Sequence, residues 1–445
     1  MMANRLFSNR QLVKLIIPLV IEQGLTILVG MCDGVMVSSV GEAAISGVSL
    51  VDMINAVILV LFAALATGGA VVTSQLLGAR QLEKARQSAG QLVTLAAVLG
   101  TVMMVLCLIF ARGLLRLFFG SIDQAVMDAG LIYLRITALS FPFIALYNAG
   151  AAIFRSVGNS KVSMQVSLLM NAINVLGNAL CIFVLKMGVA GVAVPTLVSR
   201  AVAAALILML ASRRNQTLYL ESGALYPIDH KMMGKILGIG IPSACENSFF
   251  QFGRLIVVSM IALFGTTQTS ANAVANTLDS MGIVVGQAMG LAMVTVVGQS
   301  VGAGDKAQAS YYVKKLMIWS ILLLGICNAL IILFADQLIG LYSSLTPETV
   351  ELTKLLVWMH AFSAIVLWAI SFVLPNALRA ANDVQFTMWV GIGSMVAFRI
   401  LGSWILCVQL GWGAVGVWIA MILDWICRVS FFLTRTLSGK WLAKV

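Results

Sequence analysis

Residues 75–80 read Gln75-Leu76-Leu77-Gly78-Ala79-Arg80, and 224 positions further on residues 299–304 read Gln299-Ser300-Val301-Gly302-Ala303-Gly304. The same displacement lays Ile17-Pro18 on Ile241-Pro242, Glu22 on Glu246, Gly41 on Gly265, Ala85 on Ala309 and Arg155 on Arg379. Nearer the end of each half one further residue is needed, and Gly191-Val192 then meets Gly416-Val417. A single register kept over so long a stretch is a duplication, not an effect of composition.

What is duplicated lies in a membrane. Of the 445 residues 60% are hydrophobic and only 10% charged, against about 25% charged in ordinary soluble domains. Runs of about 20 apolar residues, the length that crosses a hydrocarbon core, occur twelve times, near 15–39, 45–71, 90–111, 126–150, 163–185, 190–211, 236–264, 270–297, 314–335, 353–375, 387–407 and 412–434. The runs are too long for barrel strands and do not alternate, so they read as helices. The expected fold is an all-α integral membrane protein of twelve transmembrane helices in two six-helix repeats. Residues 1–211 form the amino-terminal lobe, 212–235 a cytoplasmic linker and 236–445 the carboxy-terminal lobe. Each half has an even number of spans, so both enter the membrane in the same sense. Parallel repeats of this kind suit an alternating-access transporter with its site at mid-membrane, although a duplicated scaffold that transports nothing has the same pattern.

Several chemistries are excluded. The seven cysteines stand singly, with neither CxxC nor paired spacing, and there are two histidines, so a disulfide framework or a His/Cys metal centre is not indicated. No Walker A, nucleophile-elbow or HExxH sequence occurs, which leaves an ion gradient as the energy source and no enzyme activity to expect. The first apolar run contains Glu22 and Asp33 and has no small-residue cleavage site behind it, unlike a removable signal peptide. The net charge of +11 comes from basic loops: 19 Lys and Arg fall on one side of the spans and four on the other. The positive-inside rule puts both termini in the cytoplasm. The charge is topological, with no nucleic-acid partner.

A carboxylate at the centre of a transmembrane helix costs roughly 2.5–3.5 kcal/mol on insertion scales. Six are retained: Glu22, Asp33, Asp52, Glu246, Asp279 and Asp424. A buried carboxyl can trade its proton for a cation, which is the chemistry that coupled transport needs. Glu22, Thr26 and Asp33 share one face of the first span. Asn171, Asn174 and Asn178 follow i, i+3, i+7 on the fifth, and their amides can ligate a hard cation or join helices by hydrogen bonds. Ser243, Glu246, Asn247, Phe250, Gln251 and Arg254 fall within about three turns of the seventh, as a cavity wall or a self-neutralising network. The 224-residue displacement sets Asp52 on Asn276 and Asn55 on Asp279, the same two polar positions with the acid exchanged; a cavity role is the favoured reading. Asp424 and Arg428, at i and i+4, neutralise each other. The 23 methionines can fill lipid-facing surface or line an adaptable pocket.

The run Val29-Gly30-Met31-Cys32-Asp33-Gly34 behind Ile17-Pro18, the paired Gln75 and Gln299 motifs, and Phe154-Arg155-Ser156-Val157-Gly158-Asn159 with its echo Leu378-Arg379-Ala380-Ala381-Asn382-Asp383 resemble the multidrug and toxic compound extrusion (MATE) family, of the superfamily that also holds lipid-linked saccharide flippases. The resemblance runs from about residue 12 to 434. It implies a V-shaped pair of six-helix lobes that exchanges Na+ or H+ for organic cations and other amphipathic compounds. It also implies a cation site at Asp33, Asn174, Asn178 and, through Gly191-Val192-Ala193-Val194-Pro195-Thr196, at Thr196, where these side chains could hold Na+. The acid that the family's sodium-coupled branch has in span 10 has no counterpart, since no carboxylate occurs between Glu351 and Asp383.

The sequence therefore leads to a cation-coupled antiporter with Asp33 as coupling carboxylate and Asn174, Asn178 and Thr196 as neutral co-ligands. Glu22, Thr26, Asn55, Glu246, Asn247, Phe250, Gln251, Asn276 and Asp279 are expected to shape the substrate cavity. It needs no cofactor beyond the coupling ion. Its partners are a small amphipathic or cationic substrate and membrane lipid, its default state is a monomer, and its expected place is a bacterial cytoplasmic membrane. The alternatives are a lipid-linked saccharide flippase and a non-transporting scaffold; twelve spans and acid-bearing polar positions favour the antiporter.

Overall fold

The computed structural model describes residues 5–120, 123–220, 228–342 and 345–444. Twelve long helices and no strand occur among them. They are α1 Asn9–Ser38, α2 Glu42–Gly78, α3 Leu82–Phe119, α4 in two halves (Gln124–Leu139 and Phe141–Ser156), α5 Ser160–Val184, α6 Ala190–Ala211, α7 His230–Ala262, α8 Thr266–Gly302, α9 Lys306–Leu333, α10 Pro347–Ala380, α11 Val384–Gln409 and α12 Gly413–Leu437. Ten are long and apolar enough to cross a membrane unaided, and α4 is an eleventh, bent by 45° between its halves. The twelfth is α7, whose 33 residues include Glu246, Asn247, Gln251 and Arg254 and so read as less apolar. The middle of the expected linker, 221–227, lies outside the described residues.

The helices group into two compact units, Arg10–Ala244 and Cys245–Val445, the second also taking in Met1–Asn9. Phe7 lies edge-on to Tyr312 of α9 at 5.9 Å, and its backbone exchanges hydrogen bonds with the Tyr312 hydroxyl at 2.7 and 3.0 Å. These contacts fix the amino-terminal segment to the carboxy-terminal unit. The opening turns of α7 belong to the amino-terminal unit, where a Cβ on Gly68 of α2 would come within 2.5 Å of the Ile236 carbonyl. Outward surfaces are apolar: Ile109, Phe110 and Leu117 of α3 each leave more than half their area exposed, as a face bathed in acyl chains requires.

Small residues set the closest approaches, because between membrane helices packing takes over from the hydrophobic effect. On α8, the most buried span, Gly282, Gly286 and Gly290 follow every fourth residue. A Cβ on Gly282 would meet Asn328 Oδ1 at 2.7 Å, one on Gly290 would meet Asn376 Nδ2 at 2.8 Å, and one on Gly286 would strike the Trp368 ring. In the amino-terminal unit Gly100 of α3 lies against Pro142, whose missing N–H and ring open the α4 ladder at Ser140. The connectors α1–α2 and α7–α8 turn at Gly41 (φ 136°) and Gly265 (φ 91°), a left-handed conformation that the repeat keeps as glycine in both copies.

The one-residue slip between the halves has a structural cause. Before it, α5 begins at Ser160 and α11 at Val384, 224 apart. After it, glycine contacts recur 225 apart: Gly177 faces Pro195 as Gly402 faces Ala420, and Gly191 faces Cys181 as Gly416 faces Leu406. Between them α11 widens into a π-turn at Met395–Ile400 with no counterpart in α5, whereas its second π-turn, Trp404–Gln409, matches Leu180–Val184. An i→i+5 turn absorbs one extra residue without rotating the helix on either side. The extra residue is therefore housed in Met395–Ile400, which contains Arg399.

Candidate cation-coupling site

In the amino-terminal unit α1, α5 and α6 bring the four expected coupling residues together. Asn178 Nδ2 donates to Asp33 Oδ1 at 2.8 Å and also lies 3.4 Å from Asn174 Oδ1. Asn174 Nδ2 donates to Thr196 Oγ1 at 3.0 Å, and that hydroxyl donates to the Val192 carbonyl. The i, i+4 spacing of the asparagines puts them one above the other on α5, and α6 meets α5 closely because Gly177 leaves room for Pro195. Asn178 is fully buried, and its Oδ1 has no hydrogen-bond partner among the described residues. A carboxylate, two amide oxygens and a hydroxyl are donors that suit a hard cation, and the orphaned oxygen is an acceptor that such a cation would satisfy.

Next to this hydrogen-bonded chain stands a second intramembrane acid. Asp52 Oδ1 of α2 accepts from Tyr133 Oη of α4 at 3.1 Å and lies 3.4 Å from Asn55 Nδ2. Arg200 of α6 is the cation within electrostatic range of Asp33, Asp52 and Tyr133, and its Nη1 donates to Ser140 Oγ at the α4 bend at 2.8 Å. As an intramembrane acid Asp52 is visible in sequence. Tyr133 is not, because nothing in the sequence of α4, which also carries Asp128, Arg135, Thr137 and Asn148, sets its hydroxyl apart.

The remaining expected residues take other partners. Glu22 is buried and accepts from Ser163 Oγ at 2.8 Å, Tyr147 Oη at 3.3 Å and Arg155 Nη1 at 3.4 Å. Thr26 bonds back to the Glu22 carbonyl. In the carboxy-terminal unit Arg379 Nη2 meets Glu246 Oε2 at 2.7 Å, so both copies contain the same Glu–Arg pair. Arg428 bonds Asp424 at 3.1 Å and the Gly391 carbonyl at 3.0 Å, and stands 3.9 Å from Glu246. Gly391 is needed there, since a Cβ would press on the Glu246 carboxyl at 2.7 Å. Asn247, Phe250 and Gln251 are half-buried on α7, and Phe250 packs edge-on against Phe372 at 5.7 Å. Asp279 Oδ1 is 3.0 Å from His360 Nδ1. Asn276 Nδ2 donates to the Asn272 carbonyl, and Trp418 Nε1 to Asn272 Oδ1.

The MatE family model matches the chain twice, over residues 18–180 and 242–405. The chain belongs to the MATE family. The two matches begin 224 residues apart and end 225 apart, the displacement and the slip seen in the helices. Among curated relatives it is 28% identical over 440 residues to the uncharacterized transporter YisQ of Bacillus subtilis (96% of this chain, 94% of the relative). It is 27% identical to the probable multidrug resistance protein NorM of Thermotoga maritima (97% and 93%), and 22% identical to the multidrug export protein MepA of Staphylococcus haemolyticus (95% and 92%). An outward-facing multidrug resistance MATE transporter superposes with a TM-score of 0.90 at 22% identity, covering 98% of this chain and 97% of that one. A MATE protein in a bent conformation superposes at 0.88 and 21% (98% and 96%). The shared fold is twelve helices in two lobes, and the chain is a membrane-spanning transporter of this family.

Proposed function

We propose that this MATE transporter is an antiporter in which Asp33 binds the coupling cation, Na+ or H+, together with Asn174, Asn178 and Thr196, and that the bound cation is exchanged for an amphipathic, drug-like compound moving outward. The observation that carries the reading is the Asp33–Asn178 bond beside an unpartnered buried Asn178 oxygen. An ionised carboxylate is costly in a membrane, so Asp33 needs a compensating charge at each stage of the cycle. A proton or Na+ supplies it in one half-cycle and the substrate, or relaxation toward Arg200, in the other. Export by relatives such as MepA supports the direction of transport.

The test is reconstitution in liposomes with ethidium as the transported probe, driven separately by a sodium and a proton gradient. One gradient should drive ethidium movement. Asp33→Asn should reach the membrane at wild-type levels and lose gradient-driven transport. Undiminished transport by that variant would refute the assignment of Asp33, and no transport under either gradient, with a control transporter active, would refute antiport.

A further inference from the structure

The duplication that builds the cation site also builds its image in the carboxy-terminal unit, and the image is a cavity of ≈ 30 Å³ whose lining includes Arg254, Val257, Asn276, Arg399, Trp418 and Met421. Through the repeat, Val257 stands where Asp33 is, Asn276 where Asp52 is and Arg254 where Gly30 is. Counted across the π-turn, Arg399 falls at Asn174 and Met421 at Thr196. Asp33 and Asp52 are thus replaced by neutral residues while Asn55 becomes Asp279, and Arg254 and Arg399 are added while Arg200 gives way to Trp425. Arg399 is 8% exposed, has no hydrogen bond to any described residue, and its Nε is an orphaned buried donor. Arg254 likewise has no hydrogen-bonded partner among the described residues, and it and Val258 are exposed where they line the cavity.

Nearby acids do not cancel this charge. Asp279 and Asp424 are the acidic neighbours of Arg399. Asp424 is matched by Arg428 and Glu246 by Arg379, while Asp279, 3.0 Å from His360 Nδ1, is one acid within electrostatic range of two guanidinium groups, Arg254 and Arg399. Arg254, Arg399 and Arg428 against Asp279 and Asp424 leave an excess of one positive charge. An uncompensated guanidinium at this depth calls for an anion, and two convergent forks suit a carboxylate. The volume accommodates a group of one or two waters' size, with Val257, Val258, Val417, Trp418 and Met421 as an apolar wall beside it.

We infer that this cavity is an anion subsite that receives the carboxylate of an amphipathic substrate, so that the exported compounds include carboxylate-bearing anions and zwitterions as well as cations. The inference rests on the export reading above and adds a substrate class to it. It is tested by equilibrium dialysis of labelled naphthalene-1-acetate against the protein in nanodiscs, with empty nanodiscs subtracted. Acetate and 1-naphthylmethylammonium serve as competitors. The wild type should bind saturably, with acetate competing only at much higher concentration and the ammonium compound not competing. Arg399→Gln and Arg254→Gln should each weaken binding at least tenfold. Val257→Asp removes no polar contact and restores the acid of the other copy, so it should abolish binding by pairing with Arg399. Wild-type affinity in Arg254→Gln and Val257→Asp, or equal competition by the ammonium compound, would overturn the subsite; acetate competing as well as naphthalene-1-acetate would overturn the amphipathic substrate. Ethidium transport is measured on the same preparations. Ethidium transport without naphthalene-1-acetate binding overturns this inference alone, whereas binding without ethidium transport leaves the subsite standing and overturns antiport.

Discussion

At the scale of the residue, five of the six membrane-embedded acids resolve into two kinds, while the sixth, Asp279, lies 3.0 Å from His360 Nδ1. Glu22, Glu246 and Asp424 are each closed by a guanidinium within 3.4 Å. Asp33 and Asp52 are held by neutral donors from Asn178 and Tyr133, with Arg200 nearby but making no ion pair with either. An acid that must release its partner in each cycle belongs to the second kind. The first kind fixes helix to helix, and its energetics are asymmetric: removing one partner of a buried pair costs on the order of 3–5 kcal/mol, while replacing both can be nearly neutral. Arg155→Met should therefore lower the midpoint of thermal unfolding in detergent markedly, and adding Glu22→Gln should recover most of the loss, because Ser163 and Tyr147 can still donate to the amide oxygen. A double variant as unstable as Arg155→Met alone would show that the pair is not the source of the loss.

At the scale of the element, α11 shows where sequence reading stopped. The repeat, the spans and the parallel sense of the halves followed from the Gln75 and Gln299 motifs and from apolar length, because hydrocarbon thickness leaves few solutions. The coupling set was less open to reading: spacing alone left Asn174 and Asn178 between ligand and interhelical bond, and the choice came from resemblance. Partners such as Tyr133 for Asp52 and His360 for Asp279 were illegible, since the contact joins helices some eighty residues apart and nothing local marks it. The added residue in α11 was visible only as a slip of unknown place, and the structure puts it in the π-turn at Met395–Ile400. Because such a turn leaves the flanking helix in phase, deleting Val396, whose side chain is 42% exposed, should give a folded, monodisperse protein. Deleting Val313, a buried residue in the regular helix α9, should rotate every later contact by about 100° and abolish expression. Equal tolerance of the two deletions in size-exclusion chromatography would remove the bulge as the cause of the slip.

At the scale of the molecule, one gene duplication has produced two units with the same framework and different polar side chains at matching positions. The framework is retained in Glu22–Arg155 and Glu246–Arg379, in the Gly41 and Gly265 turns and in the glycine contacts of α5–α6 and α11–α12. The sites diverge because an acid in one copy is a valine in the other. Transport direction depends on the orientation of the chain in the membrane, which the charge pattern predicts: 19 Lys and Arg on one side against four on the other. Short basic loops are retained on the cytoplasmic side because moving their charges across the bilayer is unfavourable. A green fluorescent protein fused after Val445 should therefore fluoresce, since it folds in the cytoplasm, and alkaline phosphatase fused after Gly120, in the α3–α4 connection, should be active outside it. The reverse pattern would invert the orientation, and with it the side from which the proposed coupling cation would reach Asp33.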